Sequence, residues 1–180
     1  MNIDAAGCCE AAVQIASPNH NQRPVDEIDL LVIHGISLPA GEFGGDDVIK
    51  LFTNTLDCEA GSAYEDLAGL TVSAHFWIRR DGSLIQFVST EDRAWHAGRS
   101  SFEGREECND FSIGIELEGT DSTPYEDAQY ETLTALTQAI QARYPLITQE
   151  RIVGHEHIAP GRKTDPGPAF DWARYREALV

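Results

Sequence analysis

The chain has no apolar run long enough to span a bilayer, which sets aside an integral membrane protein with helical spans. It has no Cys-x-x-Cys pair. Cys8 and Cys9 are adjacent, and Cys58 and Cys108 stand alone, so neither a zinc knuckle nor a redox dithiol is written in it, and all four cysteines read as free thiols. Basic residues are scarce: 13 Lys and Arg against 30 Asp and Glu, for a formal net charge of −17. A surface that acidic repels nucleic acid and anionic membrane. No Lys or Arg precedes Arg23, while Asp4 and Glu10 are acidic, which is the wrong charge for a signal peptide. Ala6-Gly7-Cys8 has the look of a lipoprotein cleavage site, but too few residues precede it to form an apolar signal. The expected location is the cytoplasm. No internal repeat or linker is visible, and 180 residues with 42% apolar content suit one domain, residues 1–180, with a single core.

What is present centres on His155-Glu156-His157-Ile158-Ala159-Pro160-Gly161-Arg162-Lys163-Thr164-Asp165-Pro166-Gly167-Pro168. Three prolines and two glycines exclude a helix interior or a central strand, so the segment reads as an irregular loop of fixed shape, the kind of segment that carries functional side chains. Upstream, Ser17–Asp29 reads as an extended lead-in. Leu30–Ile36 is a short, nearly continuous apolar run, expected as a buried central strand with His34 near its C-terminal end. Asp46 or Asp47 is placed to cap a short helix to about Asn54, followed by a loop to Gly69. Thr71–Arg79 and Ser83–Val88 flank Asp81-Gly82, a hairpin signal. Trp95 to Asp110 is a long irregular stretch. Phe111–Glu118 alternates: Phe111, Ile113, Ile115 and Leu117 toward a core, and Ser112, Gly114, Glu116 and Glu118 toward a cleft or water. The longest helix is expected from Pro124 or Asp127 to about Tyr144, with Leu133, Leu136, Thr137 and Ile140 as its inner stripe and Pro145 as its stop. Ile152–Gly154 is strand-like, and Asp171 caps a last helix to about Leu179. The sum is α/β: a mixed sheet covered by helices.

His34 ends one strand and His155 follows another. Two imidazoles and one carboxylate make a zinc shell with an open position for water. Alternation turns Glu156 away from the side His155 faces, and Asp165 reaches that side if the loop doubles back. The expected shell is therefore His34, His155 and Asp165 around one Zn2+, with His157 open as an alternative. A histidine at a strand end is more commonly a hydrogen-bonded core residue, so the signal rests on the combination. Glu116, on the cleft face of its strand, is the candidate general base, and Lys163 the candidate cation for a developing oxyanion.

The residues around this set carry a family resemblance. His34, Val72-Ser73-Ala74-His75, Trp95-His96-Ala97-Gly98, Asn109 to Asp121, Gly154-His155 and Arg162 to Gly167 together resemble the zinc-dependent N-acetylmuramoyl-L-alanine amidases. That family shares its fold with peptidoglycan recognition proteins and phage lysozyme-type amidases. The match is nearest its cytosolic branch, which acts on 1,6-anhydro-N-acetylmuramyl peptides. The resemblance implies hydrolysis of the amide between muramic acid and L-alanine, with a soluble anhydro-muropeptide as the partner and the protein acting as a monomer. It carries zinc-binding roles to His34, His155 and Asp165, and catalytic roles to Glu116 and Lys163. Substrate contacts are expected from Trp95, His96, His75 and Asn109: Trp95 stacks on a sugar or an apolar face of the substrate or else packs in the core, His75 and His96 line the cleft or else are buried and hydrogen-bonded, and Asn109 shapes a loop or meets the stem peptide. Departures are Gly35 in place of an asparagine, the His155-Glu156-His157 triplet, and Thr71 and Glu107 where relatives place arginines. Two other readings are a non-catalytic muropeptide-binding module and an envelope amidase acting on polymeric wall.

Overall fold

The computed structural model describes residues 1–59 and 62–180. Strands β1 (Val13–Gln14), β2 (His20–Gln22) and β3 (Leu30–Ile36) precede helix α1 (Asp47–Phe52). Then come β4 (Phe76–Ile78), β5 (Leu84–Gln86), β6 (Asp92–Ala94), β7 (Ser101–Phe102), β8 (Arg105–Glu106) and β9 (Ser112–Glu118). Helix α2 (Asp127–Arg143), β10 (Ile152–Gly154), the single turn α3 (His155–Ile158) and α4 (Trp172–Glu177) complete the order. The main sheet runs β1-β5-β4-β9-β3-β10, with two small ribbons, β2-β6 and β7-β8. Its central strands β4, β9, β3 and β10 are mutually parallel, and β5 pairs antiparallel with β4. The mixed α/β sheet expected from the sequence is the one observed.

β3 matches its expected bounds because four consecutive apolar residues, Leu30 to Ile33, are all fully buried. Leu31 and Ile33 pack on α2 with Leu133, Leu136 and Ile140. Leu30 and Val32 face the other way, onto Cys108, Phe111 and Ile158. A third cluster joins Phe52 of α1 to Trp77 and Phe87. Helices on both faces demand this two-sided burial. Truncating Leu133 to Ala would cost about 2–5 kcal/mol. α2 begins with a capping box in which Gln129 accepts from the Glu126 amide at 3.0 Å, and it ends before Pro145 as expected. Asp171 caps α4 by accepting from the Arg174 amide at 3.0 Å.

Several expectations need correction. The hairpin is shorter than read. Residues 71–75 form no strand because their main chain bonds elsewhere: the Ser73 amide donates to Trp95 O, and the His75 amide to Gly114 O. Asp46 occupies the N-cap of α1 but caps nothing; its carboxylate pairs with Arg79 at 3.2 Å. In the loop expected up to Gly69, Ala60 and Gly61 lie outside the described residues, and Ser62–Leu67 forms a 3-10 turn. The lead-in contains β2, and the stretch from Trp95 to Asp110 contains β7 and β8. The polar face of β9 reaches the cleft at Glu116 as expected, but elsewhere it is closed: Ser112 is fully buried, and Glu118 is buried with its carboxylate accepting from the Gly44 and Arg80 amides. The loop at His155 opens with a helical turn, where an irregular course was expected. All four cysteines are free.

Candidate active site

Three parallel strands end side by side, and each delivers one side chain to the same edge. His34 of β3 is in register with Glu116 of β9, and Gly154 at the end of β10 lies beside Ile33, so His155 emerges next to His34. The C-terminal edge of a parallel sheet is where such folds bind ligands. Asp165 is then brought back by main-chain bonds within the loop. The Glu156 amide donates to Asp165 O at 3.0 Å, and the Arg162 and Lys163 amides both donate to Ala159 O. Tyr125 Oη holds the following residue by donating to Pro166 O at 3.0 Å. Gly35 makes room for that tyrosine, since a Cβ there would lie 2.4 Å from its hydroxyl, which accounts for the glycine at this position.

The result is a triangle of lone pairs. His34 Nδ1 lies 2.9 Å from His155 Nδ1 and 3.2 Å from Asp165 Oδ2, and His155 Nδ1 lies 3.1 Å from the same oxygen. Both imidazoles are buried. Nδ1 atoms facing each other at this distance share one positive species between them, a proton or a metal ion. Ligands at zinc's usual bond lengths in a tetrahedron are about 3.3 Å apart, close to these edges, and the two-imidazole, one-carboxylate donor set suits zinc. Among the described residues, this is the one group of three or more His, Cys, Asp or Glu side chains arranged to hold a metal. His157 is excluded from it. Its Nδ1 accepts from the Gly154 amide at 2.9 Å, its side chain is half exposed, and its ring packs on Trp172. Glu156 is likewise outside the group and does not line the cavity; its carboxylate lies beside the His157 ring.

Glu116 sits beside the triangle, with Oε1 3.9 Å from His34 Nδ1 and Oε2 buried without a hydrogen-bond partner. Burial, then the Asp165 charge, push its carboxyl well above the usual carboxylate range, and Lys163 opposes them. Asp165 goes the other way: burial disfavours its charge, but hydrogen bonds from His155 and His34 outweigh that and hold it low. Burial, then His155, lower His34 to about 4. A dication in the triangle would draw Glu116 back toward the ionised form a base requires.

These groups open into a cavity of about 230 Å³ lined by Trp95, His96, Glu116, His155, Lys163 and Asp165, with an apolar wall of Leu38, Leu67, Leu70 and Val72. A larger hollow of about 400 Å³ between Ser100 and Pro160 contains none of the triangle and is set aside as the reaction site. The apolar wall was not anticipated, because its leucines come from a segment without clear periodicity. Trp95 donates Nε1 to Asn21 Oδ1 at 2.6 Å and lines the cavity.

The expected substrate contact of His75 is corrected. It is fully buried, accepts from the Gly114 amide through Nδ1 at 3.0 Å, and meets Arg23 and Asp92 O through Nε2. Asn109 is buried too, its Oδ1 accepting from the His96 and Ala97 amides, so it shapes the loop. His96 lines the cavity, but both its ring nitrogens have protein partners, His34 and Ser112. Glu107 pairs with Arg93 at 3.5 Å, and Thr71 lines a separate hollow.

Fold and site together define a class of hydrolase. The chain belongs to the N-acetylmuramoyl-L-alanine amidase family, whose model matches residues 22–168, and the resemblance read from its motifs holds. Within that family it is 57% identical over 170 residues to the 1,6-anhydro-N-acetylmuramyl-L-alanine amidase AmpD of Enterobacter cloacae, covering 94% of this chain and 90% of that one. A crystal structure of a selenomethionine derivative of AmpD superposes with a TM-score of 0.96 at 54% identity, covering 100% of both chains. The amidase AmiD from E. coli, solved with anhydro-N-acetylmuramic acid-L-Ala-D-γ-Glu-L-Lys, superposes with a TM-score of 0.63 at 32% identity over 85% of this chain and 58% of that one.

Proposed function

We propose that residues 1–180 act as one amidase domain in the cytoplasm. It uses a zinc ion to hydrolyse the amide between (1,6-anhydro)-N-acetylmuramic acid and the L-alanine of the stem peptide, as a step in recycling cell-wall muropeptides. The observation that carries this reading is the buried lone-pair triangle of His34, His155 and Asp165 beside the unpartnered oxygen of Glu116. The names of the AmpD relatives and the ligand of the AmiD structure support the substrate class.

His34, His155 and Asp165 are the ligands. When bound, zinc makes water acidic near neutral pH and polarises the carbonyl under attack. Glu116 takes the proton of the attacking water through its free Oε2 and returns it to the departing alanine nitrogen. Lys163 places a positive charge at the cavity, where the carbonyl oxygen turns negative. Trp95 and the leucine wall receive apolar faces of the substrate and thin out the water around the reacting bond. The partner is one soluble muropeptide per monomer. The acidity of the chain disfavours nucleic acid, and among the described residues no helix is long and apolar enough to cross a membrane.

The test is release of free peptide from anhydro-N-acetylmuramyl tripeptide, followed by chromatography. Turnover should vanish with a chelator and return with zinc, and Lys163→Ala should lower kcat about 10²-fold with a smaller change in KM. Tight binding without turnover by zinc-loaded protein would make the chain a binding module. Faster release from whole sacculi than from soluble fragments would make it an envelope amidase.

A further inference from the structure

The segment Trp95–Gly98 backs the metal triangle from behind. His155 Nε2 lies 3.0 Å from Ala97 O. A carbonyl only accepts, so this nitrogen carries the hydrogen, and a neutral His155 has a bare Nδ1. His34 Nε2 lies 2.9 Å from His96 Nδ1, and His96 Nε2 lies 3.2 Å from Ser112 Oγ. If Ser112 Oγ accepts from His96 Nε2, then His96 Nδ1 is free to accept the Nε2 hydrogen of His34. The bare nitrogen of His34 then points into the triangle, as His155's does.

The seat of His96 is built for this contact. A Cβ on Gly114 would lie 2.5 Å from the His96 ring, so the glycine on β9 is what lets the imidazole reach His34. The His96 and Ala97 amides share one acceptor, Asn109 Oδ1, at 3.1 and 2.8 Å, which fixes the backbone carrying both braces. Arg162 Nη2 donates to the same Ala97 carbonyl at 2.6 Å and leaves room for His155 on the second lone pair.

We propose that His96 is a positioning residue rather than a substrate contact: it selects the His34 tautomer that binds metal, while Ala97 O does the same for His155 and Asn109 holds both in place. This rests on the metal reading above. Groups that orient metal-binding histidines in this way typically contribute 10- to 100-fold to metal affinity.

The experiment compares His96→Leu, which keeps bulk but removes the acceptor, with His96→Asn, which keeps an acceptor oxygen near the Nδ1 position. Zinc affinity is measured by competition with a chromophoric chelator, with thermal unfolding as the check on folding. His96→Leu should bind zinc about 10- to 100-fold more weakly, and His96→Asn within about threefold of the parent. A folded His96→Leu protein that binds as tightly as the parent overturns the proposal, and so does an Asn variant as weak as the Leu one. If His96→Leu does not fold, long-range nitrogen–proton NMR of the metal-free parent decides, since there no metal fixes the His34 tautomer. The His34 hydrogen on Nε2 supports the proposal, and its absence from Nε2 overturns it. A parent that binds no zinc at all removes the metal reading itself, an outcome distinct from those above.

Discussion

The two irregular segments at the sheet edge, Trp95–Asp110 and His155–Pro168, look alike in composition and do opposite jobs. Both are rich in turn residues and both carry histidine. The second presents atoms whose near partners are the other corners of one triangle that could hold a metal: His155 Nδ1 and Asp165 Oδ2. The first presents atoms that are already matched, with His96 held between His34 and Ser112 and Asn109 Oδ1 occupied by two amides. The lesson is that residue type does not separate a reacting group from a supporting one. What separates them is whether a lone pair points at a partner or into the cleft. Unmatched groups should govern chemistry, and matched groups should govern stability.

The largest expected effect falls on the most exposed consequence of that rule. Glu116→Gln keeps the shape and removes the base, so kcat should fall about 10³-fold with zinc content unchanged, read by product release and metal analysis. Retention of most turnover would erase the distinction between the open and the matched carboxylates. On the matched side, His75→Leu leaves the Gly114 amide without its acceptor and the Asp92 carbonyl without the Nε2 donor, and should cost about 3 kcal/mol of unfolding free energy, while turnover per folded molecule stays near that of the parent. Loss of turnover without loss of stability would place His75 among the reacting groups after all.

A smaller effect is expected from pH in the metal-free protein. Burial lowers His34 to about 4, and burial also lowers His75 and His96. Between about pH 4 and 6.5 the unfolded chain takes up protons that these folded sites refuse, so stability rises with pH and is fully present above 6.5. Glu116 and Glu156, whose carboxyls burial pushes up, act with the opposite sign, against the three buried histidines. Going from pH 7 to 5 should cost about 2 kcal/mol through His34 alone, a melting shift on the order of 5 °C by calorimetry. A melting temperature that holds or rises on acidification would contradict it. The smallest effect belongs to His157→Ala. Zinc affinity should stay within about twofold of the parent, because this histidine lies outside the metal-binding set. A clear drop in affinity would bring His157 into the metal set.

Much of this was legible along the chain. β3 was read at its observed bounds because an apolar run of that length has few alternatives, and α2 was read because its stripe recurs at helical spacing and a proline ends it. His34, Glu116, His155, Lys163 and Asp165, which the fold gathers at one cavity, could be singled out because few residue types carry the chemistry proposed for them. The short strands β1, β2 and β6 left no signal, since two or three residues carry no period. The hairpin was overread because the main chain of residues 71–75 bonds to Trp95 and Gly114, partners distant in sequence. Of the two readings open for His75, a cleft contact or a buried hydrogen-bonded residue, the structure gives the second, for the same reason: its ring nitrogens meet Gly114 and Asp92, both distant in sequence.

Local pattern determined the central strands, the long helix and the chemical types gathered at the sheet edge, since periodicity and side-chain chemistry are properties of neighbouring residues. Only the tertiary structure decided which of those side chains keep an unpaired atom facing the cleft. Whether a nitrogen is free or bound depends on partners tens of residues away, such as the Ala97 carbonyl behind His155 and the Tyr125 hydroxyl that ties down the loop after Asp165.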